Sequence, residues 1–379
     1  MIIRTQYRAK MRFFCLLSYL VLASTPVLEV SANPANPDVS LILDGFYKSE
    51  ATALSERGSS FGLGHTELSL QSAIDDRFMG RFTTVFESHD GETEIEIEEA
   101  FINTTGLGMG LDMRFGRFLS QVGYLNSHHT HSDAFSERPV VYRALLGAHY
   151  FDDGMRLNVL IPTPFFWQIG VETFKGNRLA GGVGDESVGV YTVSTKIGGD
   201  VSASNSWQFG TSYIRHKLKA IEDDHEGETH EGHSHSHNAV YSAENLYILD
   251  AVWKWAPLGN AKNHQLTLSA EYIYADDLNE YATDDDNHEG WYASIVYRFH
   301  PQWALGLRQG EAKLKQAHGD HFHDQKLEET DLMISWSYSH FSTIRLQYSR
   351  QQGAGFENVN NAVSLQYVMA IGAHGAHEF

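Results

Sequence analysis

The sequence predicts an all-β protein, a transmembrane antiparallel β-barrel of about sixteen strands. Three observations carry that prediction. Runs of nine to eleven residues alternate apolar with polar side chains, the period of a strand with two unlike faces and the length of a tilted bilayer crossing. The connections between the runs alternate short and long. Aromatic residues gather at both ends of the runs, where amphipathic rings favour a membrane interface.

The chain opens on a secretory signal, residues 1–32. Arg4, Arg8, Lys10 and Arg12 precede the apolar FFCLLSYLVLA, and the small residues Val30 and Ala32 precede Asn33. A membrane anchor fits less well, because the apolar run is short of the ~20 residues of a span and Glu29 interrupts its end. Cleavage leaves 33–379 as one domain. It removes Cys15, the one cysteine, so disulfides and thiolate ligands are excluded. Taking the signal's net +3 from −20 leaves −23, a charge that excludes nucleic acid and favours cations as partners.

The strands follow in order. The first are 39–48, 66–74, 78–86, 94–104 and 111–119. In 94–104, Glu94, Glu96 and Glu98 alternate with Ile95 and Ile97, and Glu99 breaks the parity as a bulge would. Next come 153–161, 165–174, 188–198, 206–216 and 246–256. In 264–275, Leu266, Leu268, Ala270, Tyr272 and Tyr274 oppose Thr267, Ser269 and Glu271. In 290–300, Trp291, Ala293, Ile295, Tyr297 and Phe299 oppose Ser294 and Arg298. After 302–312, the strand 330–339 sets Leu332, Ile334, Trp336 and Tyr338 against Asp331, Ser335 and Ser337. After 342–352, the last strand, 361–371, sets Val363, Leu365, Tyr367, Met369 and Ile371 against Ser364 and Gln366.

Short connections lie at 75–77, 106–110, 163–164, 199–205, 257–263, His300-Pro301 and 339–341. Long ones lie at 49–65, 120–150, 175–187, 217–245, 276–289 and 313–329, with 87–93 and 353–360 of moderate size. That alternation describes an outer-membrane barrel with periplasmic turns and extracellular loops, in contact with outer-membrane lipid. Trp207, Trp255, Phe299, Trp303 and Tyr338 flank short turns, and Tyr213, Tyr247, Tyr274 and Trp291 flank long loops. The sheet must close, because an open edge in lipid strands backbone groups without partners. The polar parity then faces water, and a barrel of this size can hold a channel. The terminal Phe379 is the usual last residue of the segment that barrel-assembly machinery reads.

The histidines are placed unevenly. Sixteen of the twenty-one fall in the long loops or at their rims. The comb GETHEGHSHSHN carries His230, His233, His235 and His237 beside Glu228 and Glu231. The 120–150 loop carries His128, His129, His131 and Asp133, and 313–329 carries His318, Asp320, His321, His323 and Asp324. Imidazole with carboxylate and no thiolate suits zinc first, then copper and nickel. Without a C-x-x-C or H-E-x-x-H pattern, the sites read as many weak, exchangeable ones. If 120–150 folds into the bore, as such loops do in porins, its histidines sit at the constriction. Glu94, Glu96 and Glu98 then line the bore and favour cations, while Arg114, Arg298, Arg308 and Arg345 share the inward parity and give a mixed lining.

NPDVSLILDGFYKS, GLGHTELSLQSAIDDRF, RFGRFLSQVGYLNSHHTH, SERPVVYRALLG and the terminal GAHGAHEF resemble a family of His-rich, zinc-regulated Gram-negative outer-membrane proteins, often labelled TonB-dependent receptors. A more distant likeness is to phosphate-selective porins. The resemblance implies a role in zinc uptake or zinc-linked physiology. TonB-dependent receptors hold a plug inside a barrel of about 22 strands. Here the first strand follows the expected cleavage site by about six residues, so the expectation is a porin-sized channel without a plug.

Three readings stay open. The chain is a channel that captures and passes divalent cations, Zn2+ transported or loosely bound. It is a general small-solute porin in which the histidines only buffer. Or it is a surface protein that binds metal without conducting. An organic cofactor and an enzyme are not expected, since the polar residues repeat by parity and converge on no nucleophile. Analogy with porins of this size suggests a homotrimer.

Overall fold

The computed structural model describes residues 36–89, 92–182, 188–219 and 239–372. The expected signal segment 1–32, the comb residues His230, His233, His235 and His237, and Phe379 lie outside the described residues. Among the described residues, seventeen strands form one antiparallel sheet that closes on itself. β1 (Asp38–Lys48) pairs with β17 (Asn361–Gly372), in register from Ser40 opposite Gly372 to Lys48 opposite Ser364. Its other edge meets β2 (Ser60–Leu63) and β3 (Thr66–Ala73). Those two are halves of one wall strand interrupted at Gly64 and His65, so the wall has sixteen strands. A side chain at Gly64 has no room, because its Cβ would stand 2.6 Å from Asp44 Oδ2. The interruption leaves His65 buried inside the wall.

The remaining wall strands are β4 (Phe78–His89), β5 (Glu92–Thr104), β6 (Leu111–Leu119), β7 (Phe151–Leu160), β8 (Phe166–Phe174), β9 (Val190–Ser202) and β10 (Asn205–His216). They continue through β11 (Asn245–Trp255), β12 (Gln265–Asp276), β13 (His288–His300), β14 (Trp303–His318), β15 (His321–Ser339) and β16 (Ser342–Ala354). From β3 on, each strand pairs with the next along the chain. Every predicted strand overlaps one of these. Leu43, Val193, Leu249, Leu305, Leu332 and Leu346 stand exposed on the outer face, while Glu271, Arg308, Asp331, Gln347 and Gln366 are buried on the inner one.

One expected loop is absent. Residues 313–329 continue β14 and β15 as a hairpin that turns at Gly319 and Asp320. The strand period persists there, with Leu314 and Leu327 buried. Directly opposed Lys315 and Asp324 pair at 2.8 Å, and Lys326 reaches Glu311 at 2.9 Å. Gly319 adopts φ +62°, which a two-residue hairpin turn needs.

The 120–150 segment folds inward between β6 and β7. Val122, Val140 and Tyr142 are fully buried, as are most of their neighbours in the short helix α1 (Val140–Leu145). Wall charges hold it. Arg143 Nη2 donates to both oxygens of Glu329 at 2.6 Å, and Lys48 Nζ meets Glu137 at 2.7 Å. The carboxylate of Glu271 accepts from the Tyr124 and Leu125 amides at 2.9 and 3.0 Å, and from the Tyr142 and Tyr292 hydroxyls at 2.7 Å. Arg308 and Arg345 donate to the Glu137 and Asp133 carbonyls at 2.7 and 2.6 Å. Buried charges of this kind cost several kcal/mol to desolvate, and their ion pairs and hydrogen bonds offset that cost and hold the loop in place.

Candidate metal site between the inward loop and the wall

One patch of the inner wall collects carboxylates by strand geometry. Glu67 projects inward from β3, with Ser69 and Gln71 on the same parity. Across from β5, the register shifts between Thr83 and Thr84, so Thr83 faces Glu99 and Thr84 faces Ile97. Glu98 is the extra residue of this bulge, and both Glu98 and Glu99 end up buried. Glu87 of β4 completes the patch.

The loop brings imidazoles to that patch. Two 3-10 turns, Leu125–Ser127 and Thr130–Ser132, present His129 and His131, and His149 lies just before β7. His149 Nε2 stands 2.7 Å from Glu98 Oε1, and His65 Nε2 stands 3.3 Å from the same oxygen. His129 Nδ1 is 3.1 Å from the other oxygen, Glu98 Oε2, and 3.6 Å from Glu67 Oε2. His129 Nε2 meets Glu99 at 3.2 Å, and His131 Nδ1 meets Glu67 Oε1 at 2.6 Å. His65 Nδ1 meets Glu87 at 2.8 Å. Burial by itself would lower the His129 pKa, but Glu67, Glu99 and Glu98 outweigh it and hold the imidazole well above its usual range.

Two sets of side chains bring one ligand atom each to within 4.8 Å of one another: His65, Glu98 and His149, and Glu67, Glu98 and His129. Two nitrogens with one oxygen, or one nitrogen with two oxygens, suit a borderline divalent ion. Three protein ligands leave a coordination position open, the pattern of exchangeable rather than closed structural zinc.

The sequence-predicted residues divide between this site and elsewhere. His129, His131 and Glu98 come together in it. His128 stands apart, its Nδ1–H donating to the Tyr124 carbonyl at 2.8 Å, and burial lowers it to about 4. Asp133 is tied up by Arg138, and Glu96 by Arg178. Glu94 is exposed. Arg308 and Arg345 are buried holding the loop, Arg114 lies over the Phe101 ring at 4.0 Å, and Arg298 is exposed near the Ala261 carbonyl. His318, His321 and His323 are exposed at the β14–β15 hairpin tip, with the rings of His318 and His323 5.1 Å apart. Sequence reasoning missed His65, Glu67, Glu87 and His149. The inward parity of Glu67 was available as a signal; the turn at Gly64 that admits His65 was not.

No protein-family model matches the chain. An uncharacterized protein of Aquifex aeolicus (strain VF5) is 27% identical over 348 residues, spanning 84% of this chain and 70% of its own. Among solved structures, an OmpT loop L8 deletion mutant, an outer membrane protein of Vibrio cholerae, superposes with TM-score 0.56 at 9% identity, covering 89% of this chain and 99% of its own. The anion-selective porin from Comamonas acidovorans gives 0.56 at 10% identity, with the same 89% and 99% coverage. The outer membrane channel DcaP of Acinetobacter baumannii gives 0.55 at 12%, again with 89% and 99%. The barrel is thus of the kind found in outer-membrane porins.

Proposed function

We propose that the chain is a porin-like channel of the outer membrane that captures divalent metal ions, zinc foremost, and passes them inward. The observation that carries this reading is the meeting of His129, His131 and His149 of the inward loop with Glu67, Glu98 and Glu99 of the wall. A porin-type barrel with an apolar outer face supports the membrane placement. In that placement the hairpin tip with His318, His321 and His323 faces the outside and gathers ions at weak sites, and the comb residues His230, His233, His235 and His237 are proposed as further weak ligands. An ion entering the buried cluster displaces protons from its imidazoles, which ligate in the neutral form beside the carboxylates. A homotrimer fits this picture, since OmpT of Vibrio cholerae, which shares the fold at TM-score 0.53, has a trimer form.

The porin-type barrel by itself equally suits a second reading, a general small-solute porin. Reconstituted liposomes separate the two. With a zinc-sensitive dye inside, zinc should enter faster through the wild type than through His129→Ala, while swelling in an uncharged sugar stays equal for both. Equal zinc entry for both would favour the general porin, and no conductance in planar bilayers would favour a surface protein that binds metal without conducting.

A further inference from the structure

We infer that Glu98 bridges two divalent ions, one held with His65 and His149 and the other with Glu67 and His129. The two oxygens of Glu98 are divided between the sets. Oε1 faces His149 Nε2 and His65 Nε2, at 2.7 and 3.3 Å, and Oε2 faces His129 Nδ1 at 3.1 Å. A carboxylate that gives one oxygen to each of two ligand sets has the geometry of a metal bridge, with ions then about 3.5–4 Å apart. The bulge contributes to this arrangement, because it buries Glu99 beside Glu98 on the same inner patch, facing the loop.

Charge is compatible with the same stoichiometry. Glu67, Glu87, Glu98 and Glu99 bring four carboxylates to a buried patch shared with four imidazoles, those of His65, His129, His131 and His149. Two divalent ions balance four carboxylates while the imidazoles stay neutral, the form in which they ligate. One ion would leave two carboxylates to be balanced by protonated imidazoles and by cations such as Arg81, 3.5 Å from Glu99. The ligands also span the break in the β2–β3 strand, the bulge of β5 and both limbs of the loop, so the pair would fasten the loop to the wall. His131 Nδ1, 2.6 Å from Glu67 Oε1, holds the second carboxylate in place beside the ions.

This inference rests on the reading above for the choice of zinc, but its test is a count of ions and not of flux. Full-length protein in detergent is stripped with chelator, equilibrated with zinc sulfate, desalted, and its zinc per chain measured by mass spectrometry. Any zinc held by the comb is common to every variant, so differences report the buried site. Glu98→Gln should hold two zinc ions fewer than wild type; His149→Ala and His129→Ala should each hold one fewer. His128→Ala should hold the same number. The heat-dependent shift of folded barrels on gels confirms folding, and if Glu98→Gln does not fold, the His129→Ala/His149→Ala double variant replaces it with the same loss of two. Any other set of differences overturns the bridged pair. Zinc entry into liposomes without this count would sink the pair and keep the channel; the count without zinc entry would do the reverse.

Discussion

Replacing Arg143 with alanine should loosen the inward loop. Arg143 gives two charge-assisted hydrogen bonds to Glu329, both at 2.6 Å, and a third to the Leu54 carbonyl at 3.2 Å. Without it, Glu329 keeps the Gln351 amide at 2.8 Å and a longer contact to Arg308 at 3.7 Å. Removing one partner of a buried ion pair costs about 3–5 kcal/mol. The two remaining partners of Glu329 place the loss at the lower end of that range. At about 1.4 kcal/mol per tenfold, the docked loop becomes roughly a hundredfold less favoured. Single-channel recording in planar bilayers reads this as larger or noisier conductance for Arg143→Ala. Adding Glu329→Leu removes the orphaned charge and should restore most of the quiet, wild-type current. A single variant with unchanged conductance and noise, or a double variant worse than the single, would refute the reasoning.

Other consequences follow from the same geometry. Gly123 has φ +63°, and a Cβ there would lie 2.4 Å from Glu271 Oε2 and 2.5 Å from the Tyr142 hydroxyl. Gly123→Ala should therefore lose about 1–2 kcal/mol for the left-handed backbone alone, and proteolysis of the 120–150 segment should quicken. The His129 pKa is raised in the folded protein, so its pairing contributes fully below about 6.5 and is lost as pH rises through the folded value. In chelator-treated protein, hydrogen-exchange protection of residues 128–132, corrected for intrinsic rates, should fall on the alkaline side; a fall on the acidic side only would contradict this. Deleting 225–238 should weaken zinc binding by the intact chain and leave the barrel folded, and unchanged affinity would count against the comb.

The wall was legible because each strand carries the same two-residue period, and that period also sets which residues face inward. The Glu99 parity break was legible as a bulge, but not its effect, which is to bury two adjacent carboxylates side by side. The loop was legible by length alone. Its inward fold depends on Arg143, Glu271 and Glu137 finding partners far along the chain, such as Glu329, which no local pattern announces. The 313–329 error came from reading polar, charged residues as loop when they were cross-strand ion pairs of an extended hairpin.

Reversal potential under a zinc chloride gradient tests the central claim, that metal cations travel through this barrel by way of the buried histidine and glutamate cluster. The expected potential has the sign of zinc permeation for the wild type and moves toward zero in Glu67→Gln/Glu99→Gln. A potential with the sign of chloride permeation, indifferent to both substitutions, would contradict it.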